Sequence, residues 1–116
     1  PALTGTVDPA PWLERTERLL EAYRRKLRAT AGPSADPGLG FLWTAADHLF
    51  ERHGVSADFG LLEVEPLMRE CRSLLSGRPT QFVTALSTFY GFLAESNLVD
   101  GERANAIRAE LAGLLE

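Results

Sequence analysis

The residues best equipped for chemistry in this chain fall into a few short groups. Arg24, Arg25, Lys26 and Arg28 crowd little more than one helical turn, a density of positive charge that suits phosphate oxygens. Thr84, Ser87, Thr88 and Gly91 recur at helical spacing. Such a stripe of small side chains lets a neighbouring helix, a second copy of the chain or a phosphate backbone approach closely. Asp47, His48 and Glu51 could share a helical face as an incomplete set of metal ligands. Cys71 is the only thiol.

Each group also has a plainer explanation. Basic residues late in a helix complement its dipole and remain solvated. Asp47, His48 and Glu51 read as separate polar groups on a surface helix, so no metal is expected. His53 lies on an apolar stripe beside a helix end, which suits a packed or dipole-facing imidazole. Cys71 falls on the apolar stripe of its helix and reads as a small core residue. Phe82, Phe89, Tyr90 and Phe92 alternate with aliphatic residues at helical spacing, as core aromatics do. A base-stacking platform would display them on an open surface. The chain contains no Gly-rich phosphate loop, CxxC, HExxH or GxSxG. No nucleophile stands out with a base and an orienting partner. The sequence therefore reads as non-catalytic and without a cofactor.

The elements that must position these residues are helices. At 116 residues with 45% apolar content, the chain fits one domain with a core of its own, spanning 1–116. A single cysteine excludes an internal disulfide and suits a reducing, cytoplasmic setting. No apolar run reaches the ~20 residues of a membrane helix, so no membrane partner is expected. The net charge of −4 disfavours nucleic acid in bulk, but its distribution is uneven. Trp12 to Arg28 holds six basic residues against three acidic ones, whereas Glu95 to Glu116 holds two against five.

Helical periodicity places helices near 9–30, 38–53, 64–76, 80–96 and 100–115. Asp8, Pro9 and Pro11 suit the start of the first, whose stripe is Trp12, Thr16, Leu19, Leu20, Tyr23 and Leu27. Glu14 with Arg18 and Glu21 with Arg25 have the i,i+4 spacing of helical ion pairs. The second helix carries Leu39, Leu42, Trp43, Ala46, Leu49, Phe50 and His53, and Gly54 suits a left-handed C-cap. The third buries Leu67, Cys71, Leu74 and Leu75. The fourth has an unusually wide apolar face of Phe82, Val83, Ala85, Leu86, Phe89, Tyr90, Phe92 and Leu93, which marks it as the central rod. Asn97 can close it. The fifth carries Ala104, Ile107, Leu111, Leu114 and Leu115. No stretch alternates with the period of a strand.

The stretch TALSTFYGFLAESNLVD resembles the LS-x-L-x-x-F-Y-x-F-L helix of the SAM-like core-binding domains of tyrosine recombinases and phage integrases. HGVSADFGLLEVEPLMRECRSLL is similar to the segment that precedes that helix. The resemblance runs from about Trp12 to Asp100 and implies an all-α, four-helix core-binding bundle, here with an additional C-terminal helix. It also implies contact with the backbone of duplex DNA. Two differences stand out: family members carry Arg or Lys where this chain has Thr84, Ser87, Thr88 and Gly91, and an acidic helix follows Asp100. The recombinase catalytic residues belong to a separate domain, so the resemblance implies binding without strand cleavage. The expected function is a non-catalytic module that contacts DNA through Arg24, Arg25, Lys26, Arg28 and the small-residue stripe. The alternative is a protein-interaction or dimerisation domain with no nucleic-acid role.

Overall fold

The computed structural model describes residues 10–70 and 79–114, and these form five α-helices with no strand among them. They are α1 (Ala10–Ala31), α2 (Leu39–His53), α3 (Val64–Glu70), α4 (Pro79–Glu95) and α5 (Gly101–Gly113). Two 3-10 turns, Gly54–Ser56 and Phe59–Leu61, link α2 to α3. The suggested cap at Asp8 and the core assignments of Cys71, Leu74, Leu75 and Leu115 lie outside the described residues.

α4 is the rod the apolar pattern implies. Phe82, Val83, Leu86, Phe89, Tyr90 and Leu93 are buried, with Ala85 and Phe92 half-buried at the edges of that face. Phe89 sits among aromatic rings from three directions. Tyr23 of α1 meets it edge-on at 5.0 Å, and Phe59 of the second 3-10 turn meets it edge-on at 4.8 Å. Phe92 stacks on it at 6.3 Å. Such geometries add to the area buried, because ring edges and faces carry opposite partial charge. On α1, Trp12, Thr16, Leu20 and Tyr23 are buried in the expected phase. Trp12 packs on Phe50 of α2 at 4.5 Å and on Trp43 at 6.4 Å.

The entry to α2 depends on a glycine. Gly38 has φ 63° and ψ 39°, and a Cβ there would sit 2.9 Å from the Cβ of Ala85 on α4. Both the left-handed backbone and the close approach exclude a side chain. Gly54 closes α2 at φ 66° and ψ −144°, a glycine conformation outside the left-handed helical cap expected there, with its amide on the Phe50 carbonyl. At the end of α4, Asn97 adopts φ 56° and the Leu98 amide reaches back to the Leu93 carbonyl at 2.9 Å. That six-to-one bond is the Schellman closure Asn97 makes available.

Two features differ from the sequence reading. α5 is an integral wall of the core: Ala104, Ile107 and Leu111 are fully buried, and Asp100 caps the helix through the Arg103 amide at 3.3 Å. Leu114, expected on that apolar stripe, is half-exposed instead, because the helix ends at Gly113 before another turn can carry it inward. The segment 54–62 is also held by long side chains from three helices. Arg15 of α1 donates to the carbonyls of Val55 and Ala57, at 3.0 and 3.4 Å. Arg103 of α5 donates to Gly60 at 3.0 Å and to Leu62, and the buried Tyr90 hydroxyl donates to Phe59.

Two stability measurements follow from this packing. Phe89→Ala removes the central ring and should cost roughly 3–5 kcal/mol in a urea melt; a loss below about 1 kcal/mol would show that Phe89 is not a core residue. Burial pushes the Tyr90 phenol well above its ordinary range, against a smaller opposing effect of Arg103. Tyr90 must stay neutral in the fold, so its contribution to stability should be level below pH ~10, where the unfolded chain begins to ionise, and fall above it. Tyr90→Phe should cost about 1 kcal/mol at neutral pH through the lost hydrogen bond. It should also flatten the alkaline fall, leaving a smaller part from Tyr23, whose phenol burial also raises. An unchanged alkaline slope would contradict this account.

Candidate functional site

The basic cluster of α1 is divided by the helix. The half-buried Arg24 and the exposed Arg25 both meet Glu21: Arg24 binds it through Nε at 2.8 Å and through Nη2, and Arg25 lies 3.4 Å from the same carboxylate. The hydrogen bond from Arg24 holds the Glu21 carboxyl below its ordinary range and raises Arg24 in turn. The spacing-based pair Glu21–Arg25 thus exists, but shared with Arg24. The other expected pair, Glu14–Arg18, is not made, and Arg18 pairs with no carboxylate among the described residues. Arg28 is exposed on the outer side.

Lys26 points elsewhere. It is exposed on the flank of the helix opposite Arg24 and Arg28, and with Thr30 it lines a groove of about 510 Å³ between α1 and α4. Thr88 and Gly91 form the opposite wall, and Glu95 lies at one end. The stripe on α4 is therefore partly used. Thr84 and Thr88 are exposed, whereas Ser87 and Gly91 are half-buried.

What covers Ser87 and Gly91 is Arg108 of α5. Its Nε donates a long hydrogen bond to the Ser87 hydroxyl at 3.4 Å. The guanidinium lies over Gly91 as well: a Cβ built there would meet its carbon at 3.5 Å, an ordinary contact distance. Arg108 lines the same groove as Lys26, and neither pairs with a carboxylate among the described residues. The structure thus gathers Lys26, Thr88, Gly91 and Arg108 and leaves Arg24, Arg25 and Arg28 on another face. Arg108 carries no signal in its local sequence. Only the packing of α5 on α4 brings it to the stripe.

The suggested ligand trio separates. Asp47 and Glu51 are exposed, but His48 is buried at 3% exposure, so the reading of His48 as a surface group is corrected. The buried arc of α2 extends past Leu42 and Leu49 through Ala45, and His48 lies at that edge, facing α3. There its Nδ1 meets the Glu70 carboxylate, and its Nε2 has no partner. Among the described residues no three His, Cys, Asp or Glu side chains form a ligand set. His53 is half-buried at the end of α2. No described helix is long and apolar enough to cross a membrane.

Compared with protein families, curated proteins and solved structures, the chain matches none.

Proposed function

We propose that this is a non-catalytic helical module that contacts the sugar-phosphate backbone of duplex DNA through the α1–α4 groove. The observation that carries the reading is Arg108, which brings a cation onto an α4 stripe that has none of its own, across from Lys26. Two unpaired cations flanking a wall of threonine hydroxyls and a glycine offer charge, donors and close approach together, and phosphate oxygens use all three. The resemblance of TALSTFYGFLAESNLVD to the recombinase core-binding helix supports the same surface, with Arg108 standing in for the basic residues that helix lacks here. Arg24 and Arg25 take a lesser part, since they share the Glu21 carboxylate and so carry one net charge between them. A second reading, a protein-interaction module, draws on Leu61, Leu98 and Leu114, each 44% exposed or more.

Fluorescence anisotropy with a labelled duplex tests the proposal. Non-specific Kd should fall at the weak end of 10⁻⁴–10⁻⁶ M at physiological salt. Two phosphate contacts imply a slope near −1.8 in log–log salt dependence, or about a tenfold loss between 50 and 200 mM salt. Lys26→Glu with Arg108→Glu should abolish binding, and Arg25→Glu should change it far less. Failure to bind at low salt, where screening is weakest, would overturn the DNA reading. A mass that rises with protein concentration would then favour the interaction module.

A further inference from the structure

A second cavity lies at the other end of α1 and takes no part in the groove described above. It is a cleft of about 420 Å³, where the first half of α1 faces the 54–62 segment and the turn between α4 and α5. That volume falls within the ~300–1,000 Å³ of small-molecule sites. Its floor is apolar, with Leu19, Leu49, Phe59 and Leu93. Leu98 stands at the rim with 52% of its surface exposed, a large apolar side chain left in water beside an apolar cavity.

The rim is cationic. Arg15 is fixed by the Val55 and Ala57 carbonyls at 3.0 and 3.4 Å, which orient its guanidinium without neutralising it. Arg18 has no carboxylate partner among the described residues, although Glu14 stands one turn away. Asp58, the acidic residue of the lining, directs its Oδ1 to the Gly60 amide at 2.7 Å as the cap of the second 3-10 turn. The cleft therefore joins a greasy floor to a mouth of net positive charge.

We propose that this cleft binds a soluble single-chain amphiphile with an anionic head, of the medium-chain carboxylate class. The head group sits on Arg18 and Arg15, where two guanidinium groups without carboxylate partners suit a carboxylate. The chain lies along Leu19, over the buried Leu49 and Leu93, and removes Leu19, the rim residue Leu98 and its own methylenes from water. Charge complementarity selects the anion, and the apolar walls select the chain.

Isothermal titration of the full chain with decanoate, kept below its micelle concentration, tests this. Saturable one-to-one binding is expected, about tenfold tighter than octanoate, since each buried methylene strengthens binding up to about fourfold. Decanol should bind at least ~10-fold more weakly, the share a charge-assisted contact contributes. Ala22→Trp adds bulk from an exposed lining position and should abolish binding. Arg18→Glu should weaken it by a similar ~10-fold or more. Leu98→Glu, at an exposed rim position, repels the head group without touching the core and should also weaken it, whatever the folding of Ala22→Trp. The proposal is overturned if decanoate fails to bind at millimolar concentration, if decanol binds equally well, or if Arg18→Glu and Leu98→Glu leave the affinity unchanged. A concentration-dependent mass that Ala22→Trp abolishes would assign the cleft to a second copy of the chain and overturn it as well.

Discussion

Carbonyl groups that the 54–62 segment cannot satisfy by itself set much of this architecture. The segment is short and folded into two 3-10 turns, so its local bonds serve only part of its backbone. A carbonyl turned toward the interior without a donor costs free energy comparable to a lost hydrogen bond. Here Tyr90 of α4 reaches a buried carbonyl, Arg103 of α5 part-buried ones, and Arg15 of α1 the part-buried Ala57 carbonyl as well as the exposed one of Val55. Phe59, whose carbonyl takes the Tyr90 hydroxyl, packs its ring on Phe89 in the same place. One irregular segment thereby ties helices that are far apart in sequence, and α5 becomes a necessary wall rather than an appendage.

The helices were legible because each writes its buried face at a fixed period. α1 and α4 show this best, since their buried residues fall on the stripes that spacing alone picks out. Gly54 and Asn97 were legible too, as helix-ending residues that tolerate positive φ, whereas Gly38 carried no signal beyond its breaker-rich loop. His48 was not. Its helix buries a wider arc than one stripe, and the partner that accepts it, Glu70, lies on another helix. Nor were the roles of Arg15, Arg103 and Arg108. Long side chains reach past their own turn to acceptors that tertiary packing places, and a backbone carbonyl leaves no mark in the sequence.

The same limit explains why the basic cluster misleads as a unit. Four neighbouring cations on a helix are spread around its circumference by 100° per residue, so adjacency in sequence separates them in space. Glu21 is shared by Arg24 and Arg25, and such solvent-accessible pairing contributes little to stability. Lys26, turned the other way, finds a second cation from α5 and a wall from α4. Charge relevant to a polyanion is the charge left unpaired on one surface, not the charge counted along a stretch.

That count also bounds what the groove could do. If the groove binds DNA as proposed, two phosphate contacts would give weak, salt-sensitive attraction, and the net charge of −4 would work against it at longer range. Such a module would hold a duplex usefully only when a second contact keeps it nearby. Joining two weak sites turns the second encounter into an intramolecular one, and avidity can then exceed either affinity by ~10²–10⁴. The second contact could belong to a linked domain or to another copy of the chain. In both cases the groove would set how the duplex lies, while the linkage sets how long it stays. Weak intrinsic affinity is therefore compatible with a positioning role, provided the duplex meets Lys26 and Arg108 together.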